Sequence, residues 1–194
     1  MPNPRRIHRR NYNEPGHAHE LTFSCYHRFA FLQSDRTCHW LADAINAARE
    51  SLSFDLWAYV FMPDHVHLIV FPRTAPYDIA EIRSAIKLPV ARKAIAWLRR
   101  ESPEWIEKLT RQRGTRTETL FWQSGGGYDR IVTAPQTLAR MIDYVHLNPV
   151  RKLLVASAGE WKWSSARWYL ERIIGPLQVD PVPADWIDLS MTDG

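Results

Sequence analysis

The chain has 194 residues, of which 45% are hydrophobic and 24% charged, with nine tryptophans and a formal net charge of +4. That length suits one ordinary domain with a real core, and that composition excludes wholesale disorder. No run is long and apolar enough for a membrane span, and the basic N-terminus has no apolar stretch of a secretory signal.

The excess positive charge is local. Arg5, Arg6, Arg9 and Arg10 crowd the N-terminus with no acid before Glu14. Between residues 82 and 116, ten basic residues, including Arg83, Lys87, Arg92 and Lys93, face only three glutamates. Such patches fit a polyanion, most simply nucleic acid, and equally fit a solvated helix face with a loop. Cys25 and Cys38 have neither a metal spacing nor the look of a disulfide framework, which suits a reducing cytoplasm.

In chain order, residues 1–19 read as a polar, turn-rich arm. "ELTFSCY" (20–26) is a short β-prone run. Residues 34–51 carry Trp40, Leu41, Ala44, Ile45 and Ala48 at helical spacing behind an N-cap candidate in Ser34 or Asp35. "DLWAYVFM" (55–62) and "HVHLIVF" (65–71) read as a hairpin about Pro63-Asp64. A second helix is predicted over 78–100, with Pro89 kinking or splitting it. Residues 101–118 read as a loop, "TLFWQ" (119–123) as the last strand, and "SGGGYDR" as a glycine-rich turn. Helices follow at 134–147, stopped by Asn148-Pro149, and at 163–173, before a tail from 174. The order strand, helix, strand, strand, helix, strand, helix predicts an α+β fold. Its expected form is a ferredoxin-like or RRM-like antiparallel sheet with helices on one face.

Two histidines interrupt the apolar hairpin strand. In a strand, residues i and i+2 share a face, so His65 and His67 are neighbours while Val66, Leu68 and Val70 point the other way. Two imidazoles on one face can serve one cation, although a lone HxH is more often hydrogen-bonded core and also occurs in zinc hydrolases. On the later helix, Tyr144 and Asn148 stand at i and i+4, hence on one face. There an amide oxygen could complete a metal site one turn from a phenol nucleophile. Equally, Tyr144 could pack on the sheet and Asn148 cap the helix.

"PDHVHLIV" (63–70) resembles the HUH motif of the HUH endonuclease superfamily. Together with "FWQSGGGYDR", "YVHLNPVRKLLV" and "WKWSSARWY" it resembles the REP-associated tyrosine transposases, across roughly residues 20–170. The resemblance implies an HUH endonuclease fold over 20–173, between the arm (1–19) and the tail (174–194). It implies His65, His67 and Asn148 as ligands of Mg²⁺ or Mn²⁺ and Tyr144 as the nucleophile. The implied reaction is transesterification on single-stranded DNA through a 5′-phosphotyrosine, near palindromic repeats that fold as hairpins. The DNA contacts would be Arg5, Arg6, Arg9, Arg10, Arg83, Lys87, Arg92 and Lys93, with Arg130 and Arg151 from the motifs themselves. Exposed tryptophans could stack unpaired bases.

The implied setting is the cytoplasm at the nucleoid, with DNA hairpins as partners, no membrane, and a monomer or homodimer. The alternatives are a relaxase-like or replication-initiator nickase, a catalytically silent hairpin-binding module, and, more distantly, a zinc hydrolase. Two departures stand out. "SGGG" (124–127) occupies a turn where relatives carry bulkier residues, so a floppier loop is expected. The tail brings Asp180, Asp185 and Asp188, which could cover a basic cleft. Asp64 reads first as a turn residue, His146 lies off the Tyr144 face, and Tyr128 is a rival phenol with no ligand-type residue four positions on.

Overall fold

The computed structural model describes residues 13–187. Four strands make one antiparallel sheet: β1 (Ala18–Ser24), β2 (Phe54–Phe61), β3 (His65–Pro72) and β6 (Tyr128–Val132), in the order β2-β3-β1-β6. Helix α1 (Asp35–Leu52) joins β1 to β2, and α2 (Ile79–Glu101) follows the β2–β3 hairpin. Then come α3 (Glu104–Leu109), the hairpin β4 (Thr110–Arg113) and β5 (Arg116–Thr119), α4 (Pro135–His146), α5 (Asn148–Arg151) and α6 (Ala166–Glu171). The sheet order and connections are ferredoxin-like, as expected.

Alternation along the strands decides which residues seal the sheet. Leu21 and Phe23 of β1 and Val66, Leu68 and Val70 of β3 face α1 and α2, and with Leu41, Ile45, Ile82 and Ile86 form the main core. Burying each such side chain is worth about 1.5–3 kcal/mol. A register shift between Leu56 and Ala58 changes the phase of β2. Phe54, Leu56, Tyr59 and Phe61 therefore join that core, while Trp57, Ala58, Val60 and Met62 face the other way. There they meet Leu138, Met141, Ile142 and Val145 of α4. Helix α4 thus covers part of the second face, in addition to the α1–α2 layer on the first.

Three local expectations need correction. The last strand is not 119–123 but 128–132, beginning within the stretch read as a turn. Phe121 and Trp122 are apolar because they are buried, and β6 as an edge strand needs little apolar alternation. The loop over 101–118 is instead α3 and the β4–β5 hairpin, turned at Gly114 (φ +61°) and cross-linked by Arg111 and Glu118 at 2.9 Å. Pro89 does not split α2: it sits on the exposed side, where water can meet the carbonyl its ring leaves unbonded.

The tail is anchored on the fold at three points. Leu177 and Val179 are buried in the main core, and Trp186 lies 5.3 Å from Trp57 on the α4 side. Asp180 bonds Arg49 at 2.5 Å and the Leu56 amide at 2.8 Å, so it does not cover the cleft described below. Asp185 is exposed, and Asp188 lies outside the described residues. No described helix is long and apolar enough to cross a membrane.

Candidate active site

On the sheet face not covered by α1 and α2, β1, β3 and β6 together with α4 and α5 line an open cleft of about 1280 Å³. His65 and His67 project into it from β3, Tyr144 and Asn148 from the α4–α5 junction, and Arg130 and Arg151 from its margin. All come from one chain. The Tyr144 ring stands 5.8 Å from the His67 ring at 87°, and the two imidazoles are 5.0 Å apart.

Both histidines are held by carboxylates through Nδ1. Asp64 Oδ1 is 2.6 Å from His65 Nδ1, and Glu20 Oε1 is 2.9 Å from His67 Nδ1. The Thr22 hydroxyl donates to the same Glu20 oxygen at 2.6 Å and lies 2.8 Å from His67 Nδ1. Carboxylates only accept, so Nδ1 of each ring carries a proton, and in the neutral ring Nε2 keeps its lone pair. Burial, the largest influence, lowers the pKa of His65, against the opposing pull of Asp64, and favours this neutral form. A carboxylate behind an imidazole is the usual support of a metal-ligating histidine.

Asn148 does cap the helix end. Its Nδ2 donates to the Tyr144 carbonyl at 2.8 Å and to the Val145 carbonyl at 3.4 Å. With the nitrogen committed to α4, Oδ1 is the end left for a further partner, so capping and ligation are compatible. Tyr144 is not packed on the sheet: it is 44% exposed, beneath the Arg151 guanidinium at 5.0 Å. Among the described residues, no three His, Cys, Asp or Glu side chains are disposed to hold a metal ion. The donor set that fits one is two imidazole nitrogens plus the amide oxygen of Asn148, with positions left for water or phosphate oxygens.

The other residues expected to touch DNA divide. Arg5, Arg6, Arg9 and Arg10 lie outside the described residues. Arg92 and Lys93 are exposed on α2, away from the cleft. Arg83 is buried against the glycine turn, where a Cβ at Gly126 would come within 2.8 Å of its Nη2. Lys87 is partly buried, bonds the Gly125 carbonyl at 3.4 Å, and is pushed down to about 8 by burial and by Arg83. Neither lines the cleft.

Residues that sequence reasoning missed are Glu20, Thr22, Arg28 and Arg140, all lining the cleft. A signal existed for Glu20 and Thr22: a buried strand that places Leu21 and Phe23 on one face leaves an acid and a hydroxyl on the other. Arg28, in left-handed backbone at φ +58°, reaches Asp64 at 3.3 Å and had no sequence signal. Tyr128, set aside as a rival phenol, is half-exposed and does line the cleft, directly across from Thr22. His146 faces away and bonds Ser165 Oγ at 2.8 Å. The glycine turn is shaped rather than floppy at its end: at Gly127 (φ +69°) a Cβ would lie 2.2 Å from the Thr22 carbonyl.

No protein-family model matches the chain. A curated protein of Haemophilus influenzae named "Putative REP-associated tyrosine transposase" is 26% identical over 165 residues, covering 81% of this chain and 85% of that protein. A solved structure described as a REP-associated tyrosine transposase bound to a REP hairpin superposes with a TM-score of 0.66. It shares 18% identity, over 92% of this chain and 94% of that one. In sequence over most of its length, and in fold over nearly all of it, the chain is similar to the REP-associated tyrosine transposases, the family its motifs resemble.

Proposed function

We propose that the chain is a metal-dependent single-stranded DNA endonuclease and transposase that cleaves and rejoins DNA at hairpin-forming repeats through a 5′-phosphotyrosine. The observation that carries this reading is the meeting of the exposed Tyr144 phenol, at edge-to-face distance from His67 and one helical turn from Asn148, with two imidazoles whose Nδ1 atoms are tied to carboxylates, all in a single cleft. The arginine margin and the hairpin held by the solved neighbour support DNA as the substrate. Such a protein acts on DNA in the cytoplasm, at the nucleoid.

His65 Nε2, His67 Nε2 and Asn148 Oδ1 would hold Mg²⁺ or Mn²⁺. Such an ion, when bound, polarises a phosphate oxygen as a Lewis acid and positions it. Tyr144 Oη forms a bond to phosphorus and gives up its proton, and the 3′-oxygen leaves with the electron pair and takes up a proton. The 3′-hydroxyl of an acceptor strand later reverses the exchange. One phosphodiester replaces another, so no nucleotide cofactor is consumed. Arg28, Arg130, Arg140 and Arg151 neutralise phosphates flanking the scissile one, and these contacts position the strand without reading sequence.

The test is incubation with labelled hairpin DNA and Mn²⁺, followed by a denaturing gel. A covalent adduct should form, disappear in Tyr144→Phe, and weaken in His65→Ala and His67→Ala. Binding without an adduct, across several metals and substrates, would replace this reading with the hairpin-binding module.

A further inference from the structure

A second concave site lies on the opposite layer of the molecule, where the start of α1 meets the end of α2 and the start of α3. It is a slot of about 390 Å³, lined by Trp40, Trp97, Trp105, Phe31 and Arg36. That is within the range of small-ligand clefts.

The tryptophans of this slot differ from the core ones in exposure rather than in bonding alone, since Trp57 too lacks an acceptor for its indole N–H but is fully buried. Trp122, Trp161 and Trp163 each donate the indole N–H to an acceptor, at 2.9, 2.9 and 2.7 Å. Trp40, Trp97 and Trp105 are half-buried, and their N–H groups meet no acceptor among the described residues. Their rings are nonetheless held in place. Trp105 packs edge-on to Phe31 at 5.1 Å, and Phe31 is stacked on Phe121 at 5.1 Å.

The charge at the slot is positive. Arg36 is exposed, meets no carboxylate among the described residues, and sits over the Trp97 ring with Cζ 3.8 Å from its centre. Lys108 stands 4.6 Å from the Trp105 ring. A guanidinium stacked on an indole keeps its in-plane donors for a phosphate. The N-terminus of α1 opens on the same slot through Ser34 and Thr37, and Ser34 spends no side-chain bond on capping it.

We propose that this slot binds an unpaired base of single-stranded DNA, stacked on Trp40 and Trp105, with its phosphate on Arg36. Aromatic faces with adjacent cations are how proteins hold single strands without reading their sequence. The strand that occupies it is continuous with, or adjacent to, the DNA of the cleft. The slot therefore extends the footprint to a second face and rests on the reading of the protein as a DNA enzyme.

The test uses full-length Tyr144→Phe protein, which holds DNA without trapping it, and a hexathymidylate carrying one 5-iodouracil. Irradiation should cross-link the base to Trp40 or Trp105, and binding should quench tryptophan fluorescence. Arg36→Glu changes an exposed residue and leaves the aromatic cluster in place; it should weaken hexathymidylate binding about tenfold. Trp105→Ala should abolish the cross-link, with its melting temperature measured alongside. Cross-links confined to cleft residues such as Tyr128, or unchanged affinity in Arg36→Glu, would overturn the slot. If wild-type protein forms the hairpin adduct while the slot stays silent, this inference fails alone. Slot cross-links in Tyr144→Phe with no hairpin adduct from wild-type protein would uphold the slot and remove the transposase reading.

Discussion

The two faces of β3 are one residue apart in sequence and opposite in physics. Val66, Leu68 and Val70 are sealed beneath α1 and α2, and nothing polar is asked of them. His65 and His67 are nearly as buried, yet each is tied to a carboxylate and keeps one nitrogen for the cleft. Burial therefore does not separate core from site in this strand. Hydrogen bonding does, because a buried polar group remains only where its partners are supplied. The apolar face makes the strand rigid, and that rigidity holds the imidazoles in position.

Substitutions can break this comparison from either side. The largest expected effect is Tyr144→Phe, which should abolish the covalent adduct while DNA binding, read by gel shift, persists. Next, Leu68→Ala should cost about 2–5 kcal/mol of stability, seen as a lower melting temperature. His67→Ala should cost less, about 1–3 kcal/mol, because the buried Glu20 carboxylate keeps Thr22 as a donor, and should weaken Mn²⁺-dependent nicking. If both variants lost stability equally, the division of labour between the faces would be wrong.

Glu20→Ala sharpens the point. By releasing His67 Nδ1 it should weaken Mn²⁺ binding about 10–100-fold, read by calorimetry or by electron paramagnetic resonance. Unaltered Mn²⁺ affinity would make Glu20 merely a satisfied buried acid. Gly127→Ala should destabilise the protein by roughly 1–3 kcal/mol, since its Cβ would strike the Thr22 carbonyl and its φ is left-handed. Because Thr22 shares the Glu20 oxygen, nicking should fall with stability.

The smallest effect belongs to Lys87, which lies off the cleft. Its folded pKa of about 8 is below that of the unfolded chain, so the unfolded state holds more protons between those values. Stability should therefore rise as pH climbs from about 8 towards the ordinary lysine range. Denaturation curves of Lys87→Met should lack that rise, while DNA affinity changes little. A large loss of DNA affinity would return Lys87 to the contact set.

Much of this was legible without coordinates. The 3.6-residue pattern of α1 and α4, the hairpin about Pro63-Asp64, and the period-2 placement of His65 and His67 depend only on neighbours in sequence. So does the i, i+4 pairing of Tyr144 with Asn148, which puts both in one cleft. The edge strand β6 was not legible, since Tyr128, Asp129 and Arg130 carry almost no apolar pattern. Their strand geometry comes from pairing with β1 and from a glycine whose missing Cβ leaves room for the Thr22 carbonyl.

What the sequence by itself determined is the set of local periodicities, and through them which residues share a face. Only the tertiary structure decided which faces meet. It brought Glu20 of β1 beside His67 of β3, 47 positions away, and set Arg36 of α1 on Trp97 of α2. It also took Arg83 and Lys87 away from the cleft that their charge suggested. Periodicity is a property of one segment, whereas a carboxylate behind an imidazole is a property of two strands in register.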